Sequence, residues 1–179
     1  MKRIYTMFRV VAVAALLSAG TATVAESAII SIVPGLQSVN VGDTFSADVV
    51  ISGLSDTEVV GALDIFELGF DDSIIIGTTV DMDPDNKFPT GLIGYEDGSY
   101  CAGGTSPGGI NMSADPDCDF ACLKALQGTG FIIATLNFMA TANGYSPLNL
   151  DEIYLFNSDG VSRVPFQAVD GAVCVGDQQ

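Results

Sequence analysis

Between Gly130 and Ala140 the even positions Ile132, Ala134, Leu136, Phe138 and Ala140 form an unbroken apolar face, while the odd positions mix Phe131 and Ile133 with Thr135 and Asn137. A period of two is the signature of a strand, and a run this long marks a central strand with its even side inward. From Thr44 to Ser52 the same alternation sets Phe45, Ala47, Val49 and Ile51 against Thr44, Ser46, Asp48 and Ser52, broken only by Val50. Shorter strand-like runs cover Ala28 to Val33, Ser73 to Thr78, Ser146 to Leu150, Ile153 to Phe156 and Ala168 to Val175. Turn signals separate them: Pro34-Gly35, Val41-Gly42-Asp43, Asn143-Gly144 and Asp159-Gly160. Only Ala121 to Gln127 reads as a helix, with Asp119 as N-cap and Gly128 just past its end. Many short strands with regular turns predict an all-β chain folded as a sandwich of two antiparallel sheets.

The segment from Val59 to Asp72 poses a question of register. Strict alternation counted back from Phe70 buries Leu68 and Phe66, but also Asp64, and an unpaired buried carboxylate is costly. A β-bulge near Phe66 shifts the phase so that Leu63, Ile65, Leu68 and Phe70 all point inward, with Asp64 and Glu67 outward. This is the favoured solution. Without the bulge, Leu63 and Ile65 form an apolar patch on the opposite face, which marks a partner site.

The first 25 residues carry Lys2, Arg3 and Arg9 and no acid, followed by an apolar run from Val10 to Leu17 and small residues to Ala25. This predicts a secretory signal peptide over 1–25, cleaved before Glu26, and a single domain over 26–179 that is secreted or periplasmic. In that domain Lys87, Lys124 and Arg163 face 22 acidic groups, which makes nucleic acid and anionic membranes poor partners. His and Trp are absent, so His-based nucleophilic triads and the usual zinc sets are excluded, and no Gly-rich phosphate loop with its Lys is present. Paired carboxylates remain as a minor hydrolase reading. Export allows Cys101, Cys118, Cys122 and Cys174 to pair, and two disulfides are expected in a connectivity the spacing leaves open. Pairing Cys118 with Cys122 spans one helical turn.

A Gly-, Pro- and Asp-rich insertion at about 81–119 reads as a long, disulfide-tied loop. Its acidic runs Asp81, Asp83, Asp85 and Asp115, Asp117, Asp119 are two candidate calcium ligand sets, since alternating carboxylates offer hard oxygens. Neither continues as an EF-hand: the sixth positions are Asn86 and Phe120 and the twelfth Leu92 and Leu126, so a solvated acidic loop is the competing reading. Tyr95 and Tyr100 are candidate stacking residues for a sugar or peptide, or they pack the loop.

The ordered segments Val33-Pro34-Gly35, Val39-Asn40-Val41-Gly42-Asp43-Thr44-Phe45, Gly61-Ala62-Leu63-Asp64 leading to Phe70-Asp71, Ala125-Leu126-Gln127 before Ile133-Ala134-Thr135-Leu136-Asn137-Phe138, and Asp170-Gly171-Ala172-Val173-Cys174-Val175 together resemble a cohesin domain, over about Ile29 to Val175. The resemblance implies a two-sheet jelly-roll β-sandwich related to cellulose-binding modules, with about nine strands, one short helix and no catalytic centre. It also implies a non-catalytic binding module that takes a protein partner, of the dockerin type, on a sheet face and serves polysaccharide degradation. The alternative is a carbohydrate-binding module that takes polysaccharide directly. Candidate binding residues are Leu63, Ile65, Glu67, Tyr95 and Tyr100; no cofactor is expected other than calcium at the acidic runs.

Overall fold

The computed structural model describes residues 27–88, 90–96 and 109–176, and the side chains of 66, 67, 90–96 and 109 fall outside that description. The leader over 1–25, Tyr100 and Cys101 therefore lie outside the described residues, as do the side chains of Glu67 and Tyr95.

β1 Ala28–Val33, β3 Thr44–Ser52 and β4 Ala62–Gly69 form where alternation and turn residues led one to expect strands, whereas β2 Leu36–Val39 was not expected and β5 Ile75–Met82 runs past the expected end at Thr78. The chain continues with β6 Thr90–Glu96, β7 Gly109–Ala114, α1 Phe120–Gln127, β8 Gly130–Ala140, β9 Gly144–Phe156, β10 Phe166–Val169 and β11 Gly171–Val175. Two sheets stack as a jelly-roll sandwich, ordered β10-β1-β3-β8-β5 and β2-β11-β9-β4-β7-β6. The sheets are mixed, not purely antiparallel, because β1 lies parallel to β10 and β2 parallel to β11. Each terminal run divides in two as it crosses from one sheet to the other, at Pro34-Gly35 and at Asp170. The core between the layers takes Ile30, Ile51, Leu136 and Phe138 from one sheet and Leu63, Ile65, Leu150 and Val173 from the other.

The β4 phase changes near Phe66 as expected, but no β-bulge produces it, because neither strand carries an extra residue. Register between β4 and β9 runs from Ala62↔Phe156 to Ile65↔Ile153 and continues in step at Glu67↔Asp151, with the Phe66–Glu152 pair alone missing from the ladder. Glu152 takes a left-handed φ of 51° there. Both strands change phase at this level: Leu63 and Ile65 give way to Leu68 as the buried residues of β4, and Leu155 gives way to Leu150 and Leu148 in β9. Each fully buried aliphatic contributes roughly 1.5–3 kcal/mol, so turning all of them inward outweighs a left-handed residue costing on the order of 1–3 kcal/mol.

A bulge changes the reading of β8. Val49 pairs with Ala134 and Val50 with Ile132, so Ile133 is an extra residue. Phe131 and Ile133 are buried and Ile132 is only half-buried, which reverses the inward face at this end of the strand. The Ile133 carbonyl accepts the Asp83 N–H at 2.9 Å.

The insertion is a sheet extension, not only a loop. β6 and β7 pair antiparallel, and β7 lies along β4, because Ile110 and Met112 alternate with Asn111 and Ser113 and place two apolar side chains in the core at 1% exposure each. One disulfide joins Cys118 to Cys122 with Cα atoms 5.3 Å apart, inside the ordinary span for such a bond. The expected second disulfide is not seen among the described residues: Cys174 is a free, half-buried thiol. It stands opposite Tyr145 on β11, with no cysteine in register beside it.

Candidate functional site

Direct cross-strand partners share a face, and on the outer face of the six-stranded sheet two rows line up across β9, β4 and β7. One row is Tyr154, Asp64 and Asn111; the next is Phe156, Ala62 and Ser113. The Asn111 side-chain amide donates a hydrogen bond to Asp64 Oδ1. Partial burial pushes the Asp64 carboxyl above the ordinary carboxylate range, and the Asn111 hydrogen bond works against that push.

A cation sits beside these rows. A turn after β9 brings Arg163 back to bridge Phe156, and its guanidinium lies 4.7 Å from the Tyr154 ring centre and 5.8 Å from that of Phe156. Such stacking is worth about 0.5–1 kcal/mol at an exposed position. Asp159 shapes the turn: its Oδ1 accepts the Val161 and Ser162 N–H groups at 2.9 and 2.8 Å, and its Oδ2 accepts the Ser162 hydroxyl at 2.5 Å. The Ser162 hydroxyl, followed by these backbone donors, holds the Asp159 carboxyl below its usual range. The turn packs so closely on β4 that a Cβ on Gly61 would lie 2.5 Å from the Asn157 carbonyl oxygen, so only glycine fits there. Aromatic rings, a guanidinium, a carboxylate and an amide on a broad face match the composition of protein interfaces, in which Tyr and Arg are enriched.

The candidate residues fare differently. Leu63 and Ile65 are each 1% exposed and cannot meet a partner, because the phase change at Phe66 leaves them on the core side; the outward residues of that stretch are Ala62 and Asp64. The Glu67 backbone pairs with Asp151, and the Tyr95 backbone with Ile110. The two acidic runs do not assemble. Among the described residues no three carboxylates or thiols come together to hold a metal ion. Asp83 is buried, at a left-handed φ of 48°, and its oxygens accept the N–H groups of Lys87 and Phe88 at 2.7 and 2.8 Å. Asp115 Oδ1 accepts from Asp117 and Asp119 Oδ1 from Cys122, a turn and a helix cap, while Asp81 and Asp85 are exposed. A period-two acidic run is as much the mark of successive side-chain-to-backbone turns as of a cation loop.

Asn111, Tyr154 and Arg163 escaped the reading by sequence. The available signals were Asn111 between buried Ile110 and Met112, and Arg163 as one of three cations past residue 26.

No protein-family model matches the chain, and no curated protein matches it. Among solved structures, a non-cellulosomal cohesin from the hyperthermophilic archaeon Archaeoglobus fulgidus aligns with TM-score 0.62 and 15% identity, over 86% of this chain and 94% of the other. The sixth cohesin of scaffoldin B from Acetivibrio cellulolyticus, solved in complex with a mutant dockerin, gives TM-score 0.65 and 17% identity, over 84% and 99%. A type I cohesin–dockerin complex from Clostridium thermocellum gives TM-score 0.65 and 14% identity over the same shares. The fold of this chain is cohesin-like.

Proposed function

We propose that this cohesin-like sandwich is an exported, non-catalytic module that recognises a protein partner of the dockerin type through the outer face of its six-stranded sheet, and that this recognition serves polysaccharide degradation. The observation that carries the reading is Arg163 stacked on Tyr154 and Phe156 beside the Asp64–Asn111 pair. These groups offer an anchor and matched polar partners, and they bring together no nucleophile with a base to activate it. Two of the structural neighbours named above were solved with dockerins bound, which favours a protein ligand. The basic, then apolar, leader supports export, and no helix among the described residues is long and apolar enough to cross a membrane.

Calorimetric titration of the purified chain against a panel of calcium-loaded type I dockerins tests this. The expected result is binding by at least one, weakened tenfold or more by Arg163→Ala or Tyr154→Ala, in the range of interface anchors. Failure to bind any dockerin, or binding indifferent to both substitutions, overturns the reading.

A further inference from the structure

Where β7 ends beside the start of β4, the chain turns through 115–119 into α1, and between this turn and the one at 158–160 lies a groove of roughly 500 Å³. Its apolar lining comes from Ala114, Pro116, Phe120 and Leu123, with the Phe120 side chain 37% exposed. Its remaining lining includes three carboxylates, Asp115, Asp119 and Asp159. The two oxygens of Asp159 are occupied by the turn it closes. Asp115 and Asp119 each spend one oxygen on a backbone N–H, and the second oxygen of each makes no hydrogen bond among the described residues. The positive end of α1, which alone would attract an anion, is already met by Asp119 as its N-cap.

Among the described residues no basic side chain lines the groove. Past residue 26 the cations are Lys87, Lys124 and Arg163; Lys124 Nζ donates to the Ser55 and Gly128 carbonyls, and Arg163 lies on Tyr154. An apolar trough with unshared carboxylate oxygens and no counter-charge among the described residues is complementary to a segment that pairs an aliphatic side chain with a cationic one.

We infer that this groove is a second recognition site, which takes an extended peptide segment of a partner protein presenting Lys or Arg next to an aliphatic residue. The site shares Ala62 and Ser113 with the last row of the sheet face, so one partner can run from the face into the groove. It does not depend on the dockerin reading: its ligand chemistry is set by its own residues.

The test titrates the ¹⁵N-labelled chain with three end-blocked peptides of one length that share leucine and alanine positions and carry lysine, glutamine or glutamate between them. The lysine peptide is expected to shift the amide signals of Ala114, Asp115, Leu123 and Gly160, to bind at least tenfold more tightly than the glutamine peptide, and to weaken with added salt. Asp115→Asn with Asp119→Asn keeps both acceptor oxygens for the Asp117 and Cys122 N–H groups while removing both charges, and should cost the lysine peptide tenfold or more. Phe120→Ala should weaken lysine and glutamine peptides alike. Absence of binding, equal affinity for lysine and glutamine peptides, retained affinity in the double variant, or shifts confined to another surface each overturns the inference.

Discussion

The side-chain amide of Gln127 pairs with the backbone of Val60 in both directions: Oε1 accepts the Val60 N–H and Nε2 donates to the Val60 carbonyl, each at 2.8 Å. Both residues are 1% exposed. The last residue of α1 thus stands in for a neighbouring strand just before β4 begins, and satisfies two backbone groups that water cannot reach. The helix is docked at its other end by the cap of Asp119, and along its length by Leu123 against Val59 and Cys118.

Gln127→Met keeps the volume and removes both hydrogen bonds. Two buried backbone groups left unsatisfied should lower the unfolding free energy by about 2–4 kcal/mol. Urea denaturation should show an earlier midpoint with the slope unchanged.

Ile65→Ala should cost about 2–5 kcal/mol, as a large-to-small change at a fully buried site, whereas Asn111→Ala, on the exposed side of the neighbouring strand, should stay within about 0.5 kcal/mol. Thermal melts of both variants check this. A neutral Ile65→Ala would mean that β4 presents its other face to the core.

Burial raises the Asp64 carboxyl, so the folded state keeps this proton to a higher pH than the unfolded chain does. The folded state then binds more protons, and ionisation of Asp64 lowers stability as pH rises through and above its ordinary carboxylate value. Asp64→Asn removes that cost and still gives Asn111 an amide oxygen to donate to. Its denaturation midpoint should match that of the parent below the carboxylate range and exceed it at neutral pH. A parent that gains on the variant as pH rises would contradict the assignment.

Reduction of Cys118–Cys122 opens a small loop whose closure is worth about 2 kcal/mol on chain-entropy grounds. Hydrogen exchange should quicken in α1 and leave β3 and β8 protected, since their core contacts do not involve the disulfide. Alkylation without reductant should label Cys174 and spare Cys118 and Cys122.

β1, β3 and β8 were legible to the residue, because each combines alternation with a flanking turn, and the cap and stop of α1 were legible in Asp119 and Gly128. A change of phase near Phe66 was legible because Asp64 made unbroken alternation too costly, but its form was not: the expected bulge is replaced by a matched irregularity at Phe66 and Glu152 with the register kept, and a left-handed glutamate has no signature in composition. Glycine and proline concealed the β6–β7 pair, leaving Ile110 and Met112 as its only local signal. The site was hidden for a different reason: Asp64, Asn111, Tyr154 and Arg163 come from distant stretches, and only strand register sets them side by side. The period-two aspartates were conspicuous for local reasons, since Asp83, Asp115 and Asp119 close turns or cap the helix.

The parallel pairing of β1 with β10 and of β2 with β11 has a mechanical consequence. The first and last strands run alongside each other in one direction, so Ser27 precedes one terminal ladder at its start and Gly176 follows the other at its end. Tension applied between those ends would load both terminal ladders in shear, straining many hydrogen bonds at once instead of unzipping them singly.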